Sequence, residues 1–104
     1  MEEAALRAVA SPRRREILRL VWDDEVSSGD IASHLDVSWP AVSQNLRVLE
    51  SAGLVRARKR GTTRLYRADR ARLGPLETVL TQMWNSDLDR LADLAETEEK
   101  RGRR

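Results

Sequence analysis

Residues 38–50, with the sequence SWPAVSQNLRVLE, predict a helix whose two sides differ. Ser38 is a suitable N-cap, and Pro40 falls in the first turn, where its missing N–H costs nothing. Apolar residues recur at helical spacing from Val42 to Leu49 and indicate one buried stripe. The opposite side holds short polar or charged groups and one proline: Pro40, Ser43, Gln44, Arg47 and Ser51. This side is too polar for a helix that serves only the core.

Three further helices are predicted before this one. Residues 2–9 and 11–23 predict two helices, the second with Ser11 as its N-cap. Residues 27–35 predict a third helix, with Ser27 as the N-cap of a capping box. A three-residue turn, DVS, then leads into the helix quoted above. Two helices joined by so short a turn, the second with a polar outer side, form a helix-turn-helix pattern.

The period of the sequence changes after Gly53, which suits the C-terminal end of a helix. Residues 54–60 and 62–68 are alternating, β-branched or aromatic, and they flank Gly61, which predicts a β-hairpin. A helix-turn-helix followed by a basic hairpin is a winged helix. The expected fold is therefore mainly α-helical with a small β-hairpin.

A long final helix is predicted over residues 74–96, followed by a charged tail over 98–104 that is expected to be disordered. Residues 1–97 are expected to form one winged-helix domain. Because so small a domain cannot cover the apolar seam of the final helix, a second copy is expected to cover it in a homodimer. The expected interface combines the first and last helices: Leu6, Val9, Leu76, Leu80, Met83, Trp84, Leu88 and Leu91.

The composition excludes several kinds of site. The 104 residues include no cysteine, hence no disulfide, thiolate metal site or cysteine nucleophile. His34 is the single histidine and is expected to be structural, so we expect no metal, no cofactor and no enzymatic activity. No apolar run approaches bilayer length, and the start of the chain lacks the pattern of a signal peptide. The expected location is the cytoplasm, with no membrane partner.

The charges are segregated along the chain, although the net charge is only +2. Residues 53–72 hold eight basic residues and one acid, Asp69, whereas residues 76–99 hold seven acids and one basic residue, Arg90. A basic strip of this kind favours a polyanionic partner. A solvated charged face is the alternative.

Double-stranded DNA suits both basic elements. In the major groove, Gln44 can pair with adenine, and Arg47 can reach guanine or a phosphate. At a thin hairpin, arginine suits the narrow minor groove, and lysine or threonine suits phosphate. The candidate DNA-contacting residues are Ser38, Trp39, Pro40, Ser43, Gln44, Arg47, Arg58, Lys59, Arg60, Thr62 and Arg64. For the helix alone, an amphipathic helix exposed to solvent is the alternative.

Alternatives stay open for three other features. Trp39 either contacts DNA or packs on the preceding helix. Trp22 and Trp84 lie on or beside apolar stripes and are expected in the core or in dimer packing. The arginine run at 13–15 begins a helix, where cations are unfavourable to the helix dipole. It forms either a solvated face or phosphate contacts.

The segment PAVSQNLRVLESAGLVRARKRG, which joins helix, glycine and basic hairpin, resembles the ArsR-type (ArsR/SmtB) winged helix-turn-helix regulators of bacteria and archaea. The resemblance extends from about residue 4 to residue 95. It implies a homodimer that binds a pseudo-palindromic operator, usually as a repressor that a signal releases from DNA.

The chain also departs from this family. Metal-sensing members carry a C-x-C motif where this sequence has Ser27 and Gly29, and the predicted last helix has no histidine. Asp36 replaces the family's usual turn glycine. Trp39 and Asn45 replace residues that are common in the family's DNA-reading helix, which corresponds here to the helix over residues 38–50. The resemblance therefore implies a member that does not respond to metals, with an unknown small molecule or protein as its possible effector.

The function expected from the sequence is that of a sequence-specific DNA-binding transcriptional regulator. The alternative is a winged-helix protein-interaction module that does not bind DNA sequence-specifically. Gln44 and Arg47 distinguish the two, because only a protein that reads bases needs them on the face opposite the core.

Overall fold

The computed structural model describes residues 3–86, and the chain divides into two compact units, Met1–Gly74 and Pro75–Arg104. The helices of the first unit are α1 Glu3–Val9, α2 Pro12–Leu20, α3 Ser28–Leu35, α4 Trp39–Ser51 and α5 Arg70–Leu73. In the second unit, residues 75–86 are helical and are named α6. None of the helices within 3–86 is long and apolar enough to cross a membrane. The single domain over 1–97 stays a prediction, and the tail over 98–104 lies outside the described residues.

Serine side chains cap the helices at the predicted places. The hydroxyls of Ser11, Ser27 and Ser38 accept hydrogen bonds from the backbone N–H three residues further on, at 3.3, 3.1 and 3.3 Å. Each serine thereby satisfies one of the N–H groups that a helix leaves unpaired at its start. The predicted starts of α2, α3 and α4 are confirmed.

Two residues with positive φ bound the helix-turn-helix. Asp36 ends α3 in the left-handed conformation with φ 51°, in the place of the glycine it replaces. Gly53 follows α4 with φ 77°, and the side chain of Arg72 lies 2.7 Å from the position a Cβ would take there. The N–H of Leu54 donates to the carbonyl of Leu49 at 3.0 Å, as expected where a glycine ends a helix.

The hairpin forms the larger part of an antiparallel sheet of three strands. These are β1 Val26–Ser27, β2 Val55–Arg60 and β3 Thr63–Ala68, in the order β1-β3-β2. The hairpin register pairs Arg60 with Thr63 across a tight turn at Gly61, where φ is 64°. The hairpin is confirmed. The sequence prediction missed β1, because two residues are too few to show alternation.

The core of the first unit lies beneath α4. The predicted stripe of α4, Val42, Leu46 and Leu49, is at most 1% exposed, and Ile17, Leu18 and Ile31 are fully buried. Trp22 is also buried, as expected for a core position. Burial of this stripe fixes the rotation of α4 about its axis, so that its polar side faces solvent.

The arginine run at 13–15 has a role that neither alternative anticipated. Nε of Arg14 donates to the carbonyl of Ala8 at 2.7 Å, and Nη1 of Arg15 donates to the carbonyl of Val9 at 2.9 Å. These carbonyls end α1, where the helix dipole is negative and its acceptors lack partners within the helix. The two guanidinium groups therefore hold the end of α1 against the start of α2.

The residues predicted for a dimer interface differ in exposure. Leu6 and Met83 are 46% and 40% exposed, and Val9 and Trp84 are half-buried. Leu76 and Leu80 are buried. Leu88 and Leu91 lie outside the described residues. The interface therefore stays a prediction.

Candidate nucleic-acid interface

The outer side of α4 presents the residues predicted to contact DNA. Trp39, Pro40, Gln44 and Arg47 are exposed, and Ser43 is half-buried. Together they line a shallow concavity of about 380 Å³. Ser38 lies at the start of the same helix, with its hydroxyl engaged as the N-cap. The helix thus carries an amide, a guanidinium and a hydroxyl on one accessible surface.

Trp39 presents most of its side chain to solvent. It is 56% exposed and borders both the concavity on α4 and a larger groove beside it. An indole left in solvent at the start of a helix provides an apolar surface for a ligand. This exposure favours DNA contact over packing within the domain, and DNA contact by Trp39 stays a prediction.

A groove of about 520 Å³ separates α4 from the sheet. We call the β2–β3 hairpin the wing and this groove the helix–wing groove. It brings together five of the predicted residues: Trp39, Ser43, Arg47, Thr62 and Arg64. Six residues that the sequence prediction did not include complete the lining: Ser27, Ser28, Gly29, Glu50, Thr63 and Tyr66. Its hydroxyl and guanidinium groups are of the kind that positions a protein on DNA phosphates.

The two faces of the hairpin carry different cations. Side chains alternate along a strand, so Arg58 and Arg60 share the outer face, and Lys59 lies on the other face. Lys59 pairs in register with Arg64. Arg64 borders the helix–wing groove, lies over the Tyr66 ring at 5.8 Å, and bonds Glu50 at 3.3 Å. Cations therefore occur on both faces of the wing.

Arg58, a predicted DNA contact, is held by a carboxylate. Its Nη2 donates to Oε1 of Glu25 at 2.7 Å, and its Nε donates to the second carboxylate oxygen. The hydrogen bond with Arg58 lowers the pKa of Glu25 below its ordinary value of 4.5, and the charges of Arg67 and Arg60 act in the same direction. The same bond raises the pKa of Arg58.

Other predicted cations have no such partner. Within residues 3–86, Arg47, Lys59 and Arg60 form no ion pair with a carboxylate. All three are exposed. Arg47 lies in the helix–wing groove, whereas Lys59 and Arg60 lie at the end of β2 beside the turn. These guanidinium and ammonium groups are available to an anionic ligand.

Sequence reasoning missed Glu25 and Glu50, the two acids that pair with predicted DNA-contacting arginines. Glu50 could have been found, because it follows Ser43 and Arg47 at helical spacing on the outer side of α4. Glu25 could not, since its partner Arg58 is 33 residues away in the chain, on β2. The missed acids reduce the free positive charge of the wing.

The residues that stand where metal-sensing family members have cysteines, Ser27 and Gly29, have structural roles at the start of α3 in this protein. The Ser27 hydroxyl is engaged in capping α3, and Gly29 lies in the first turn. Nδ1 of His34 is 2.8 Å from the Asp30 carbonyl, and this histidine is exposed. Across the part of the chain that the structure describes, no group of three or more metal-ligating side chains occurs.

The α3–α4 pair with its cation-rich hairpin makes this protein a winged helix-turn-helix protein. Residues 11–57 match the model of the arsR family of bacterial regulatory proteins. HTH-type transcriptional regulator Rv2034 of Mycobacterium tuberculosis is 38% identical over 96 residues, or 92% of this chain and 90% of that protein. The chain belongs to the arsR family of bacterial regulatory proteins. The resemblance inferred from sequence is confirmed, and the family is one of transcriptional regulators rather than enzymes.

Solved structures show the same fold. A crystal structure of a possible transcriptional regulator for arsenical resistance matches with a TM-score of 0.68 and 38% identity, over 88% of this chain and 96% of that one. The homodimeric winged helix-turn-helix DNA-binding domain of Mb0332 from Mycobacterium bovis matches with a TM-score of 0.70 and 30% identity. That match covers 79% of this chain and 76% of the other. The predicted fold class is confirmed.

Proposed function

We propose that this protein is a homodimeric, sequence-specific DNA-binding regulator that represses transcription from a pseudo-palindromic operator. The observation that carries the proposal is the exposed polar side of α4 beside the helix–wing groove, with Gln44 and Arg47 free of carboxylate partners within residues 3–86. A side chain with paired donor and acceptor groups on an accessible helix is what direct reading of bases requires.

In this proposal α4 enters the major groove. Gln44 pairs with an adenine, and Arg47 reaches a guanine or a phosphate. The helix–wing groove takes one sugar–phosphate strand, to which hydroxyls such as those of Ser28 and Thr63 donate. Lys59 and Arg60 at the end of β2 contact phosphates or the minor groove.

The proposed homodimer matches the symmetry of a pseudo-palindromic operator. The homodimeric state of the Mb0332 domain supports it, as do the exposed apolar side chains of Leu6 and Met83. Sedimentation at micromolar concentration is expected to give a dimer. A monomer under those conditions would exclude this part of the proposal.

The proposed regulator does not respond to thiol-seeking or zinc-type metals, because thiolate and imidazole are the ligands that select such ions. The chain has no cysteine, and His34 lies on α3 beside the reading helix. Titration of the DNA complex with zinc, cadmium, copper(I) and arsenite is expected to leave it intact. Stoichiometric dissociation that a chelator reverses would show that metal is the effector. Without such a response, release from DNA depends on a small organic molecule, on a partner protein, or only on a change in the concentration of the protein.

The experiment that tests DNA reading begins with genomic fragments that the purified protein retains. A duplex of about 30 base pairs from the most enriched fragment is compared with a shuffled duplex of equal composition. We expect the selected duplex to bind about a thousandfold more tightly or better at physiological salt. Equal binding to both duplexes would instead favour a winged-helix interaction module.

A further inference from the structure

Arg58 differs from its neighbour Arg60, although both lie on the outer face of the wing. The Arg58 guanidinium forms two hydrogen bonds with Glu25, whereas Arg60 has no carboxylate partner within residues 3–86. Glu25 precedes β1, and Arg58 lies on β2 at the other edge of the sheet. The pair therefore spans the central strand β3, over Leu65, which is the register partner of Arg58.

The ion pair is accessible to a competing anion. The side chains of Arg58 and Glu25 are 57% and 32% exposed. Exposed ion pairs contribute little net stability, so an anion that approaches the wing can replace one of the partners. A phosphate offers the same two-point geometry to a guanidinium as a carboxylate does. Arg58 can thus exchange Glu25 for a DNA phosphate.

We propose that Glu25 is a positioning residue that holds Arg58 in the DNA-free protein and competes with DNA phosphates for its guanidinium. Glu25 thereby lowers the affinity of the wing for DNA of any sequence and leaves discrimination to the reading helix. The inference rests on the proposed function, because it requires that this face of the wing meets DNA.

The salt dependence of binding gives the proposal a distinct signature. A free arginine that binds a phosphate releases a counterion from DNA, which adds about 0.9 to the slope of log affinity against log salt. When Arg58 leaves Glu25, the freed carboxylate attracts a cation in return, so the net release is smaller. Removal of the carboxylate charge is therefore expected to steepen the slope as well as to raise the affinity.

Asp24 provides a matched control. It is exposed, it is adjacent to Glu25 in the chain, and it forms no ion pair within residues 3–86. Asp24→Asn removes the same charge from the same loop but releases no arginine. A general effect of net charge would appear equally in both variants, whereas competition for Arg58 would appear only in Glu25→Gln.

The test measures binding of the full chain to a shuffled duplex from about 50 to 200 mM salt. The proteins are the wild type, Glu25→Gln, Asp24→Asn, Arg58→Ala, Arg60→Ala and the double variant Glu25→Gln/Arg58→Ala. We expect Glu25→Gln to bind about two- to fivefold more tightly than the wild type, with a slope steeper by up to about 0.9. In the Arg58→Ala background, Glu25→Gln is expected to give no more gain than Asp24→Asn.

Three outcomes overturn the inference. One is equal gain from Glu25→Gln and Asp24→Asn; another is a gain from Glu25→Gln that persists without Arg58 and exceeds the gain from Asp24→Asn. If Glu25→Gln does not fold, as judged by circular dichroism, Arg58→Ala decides: a loss of affinity as large as that of Arg60→Ala is the third. Failure of the wild type to bind any duplex would instead reject the proposed function, and the inference with it.

Discussion

The reading helix and the wing both carry predicted DNA contacts, but they present their charges differently. On α4, Gln44 and Arg47 are exposed, and no carboxylate within residues 3–86 pairs with Arg47. On the wing, Asp69, Glu25 and Glu50 pair with Arg56, Arg58 and Arg64. Basic residues concentrated in sequence are therefore not equally available in the fold.

In the proposed function, this difference gives the two regions different roles in DNA binding. Hydrogen bonds to base edges distinguish sequences, whereas positive charge near phosphates binds all DNA alike. A wing with every cation free would raise affinity for all sequences and so would not improve discrimination. In the proposed function, partial neutralisation of the wing would keep its contribution to DNA affinity small relative to that of α4.

The largest expected effect is a loss of DNA affinity that depends on DNA sequence, which distinguishes α4 from the wing. Gln44→Ala is expected to cost about 1–3 kcal/mol per half-site on the selected duplex and little on a shuffled one, because it removes a base contact. Ser51→Ala, at the exposed C-terminal end of the same helix, is the matched control and is expected to change neither affinity. Fluorescence anisotropy with both duplexes measures these values. Equal losses of Gln44→Ala on both duplexes would show that α4 does not read sequence.

A smaller effect is expected within the wing. Arg60→Ala is expected to weaken binding to both duplexes up to about tenfold near 100 mM salt and to reduce the salt slope by about one unit. Arg58→Ala is expected to weaken binding only about two- to threefold, since its phosphate contact requires the loss of the Glu25 pair. The same anisotropy titrations at several salt concentrations compare the two. If Arg58→Ala costs as much affinity as Arg60→Ala or more, the pairing with Glu25 does not limit Arg58.

The local parts of this comparison could be predicted from sequence. The caps at Ser27 and Ser38, the turn at Asp36 and the stripe from Val42 to Leu49 depend on residues a few positions apart, and the structure confirms them. The alternating residues on either side of Gly61 predict the hairpin, and its place directly after the helix-turn-helix predicts the winged helix. These features depend on patterns of neighbouring residues and on the order of the elements along the chain, which the sequence shows directly.

The long-range parts could not be predicted. β1 is defined only by its pairing with β3, and two residues carry no periodicity. The partner of Arg58 comes from a loop 33 residues away. Arg14 binds a backbone carbonyl at the end of α1, and no side-chain pattern in the sequence marks such a partner. Exposure of Trp39 likewise depends on how α3 and α4 cross, which sequence spacing does not specify.

The smallest expected effect concerns pH and tests the ion pair without DNA. Arg58, with smaller contributions from Arg67 and Arg60, lowers the pKa of Glu25 below 4.5 in the folded chain. The folded state thus favours the carboxylate, so the pair stabilises the fold above the unfolded pKa, and this stabilisation is lost as pH falls through the folded pKa.

Urea denaturation from about pH 7 to pH 3 is expected to show this loss. The wild type should be slightly more stable than Glu25→Gln above about pH 5, and the difference should vanish at the acid end. Asp24→Asn is expected to keep the same acid-dependent difference from Glu25→Gln as the wild type, because it retains the pair. A difference between wild type and Glu25→Gln that stays constant with pH would mean that the charge of Glu25 does not stabilise the wing. In that case the Glu25 carboxylate would not bind Arg58 strongly enough to compete with DNA phosphates.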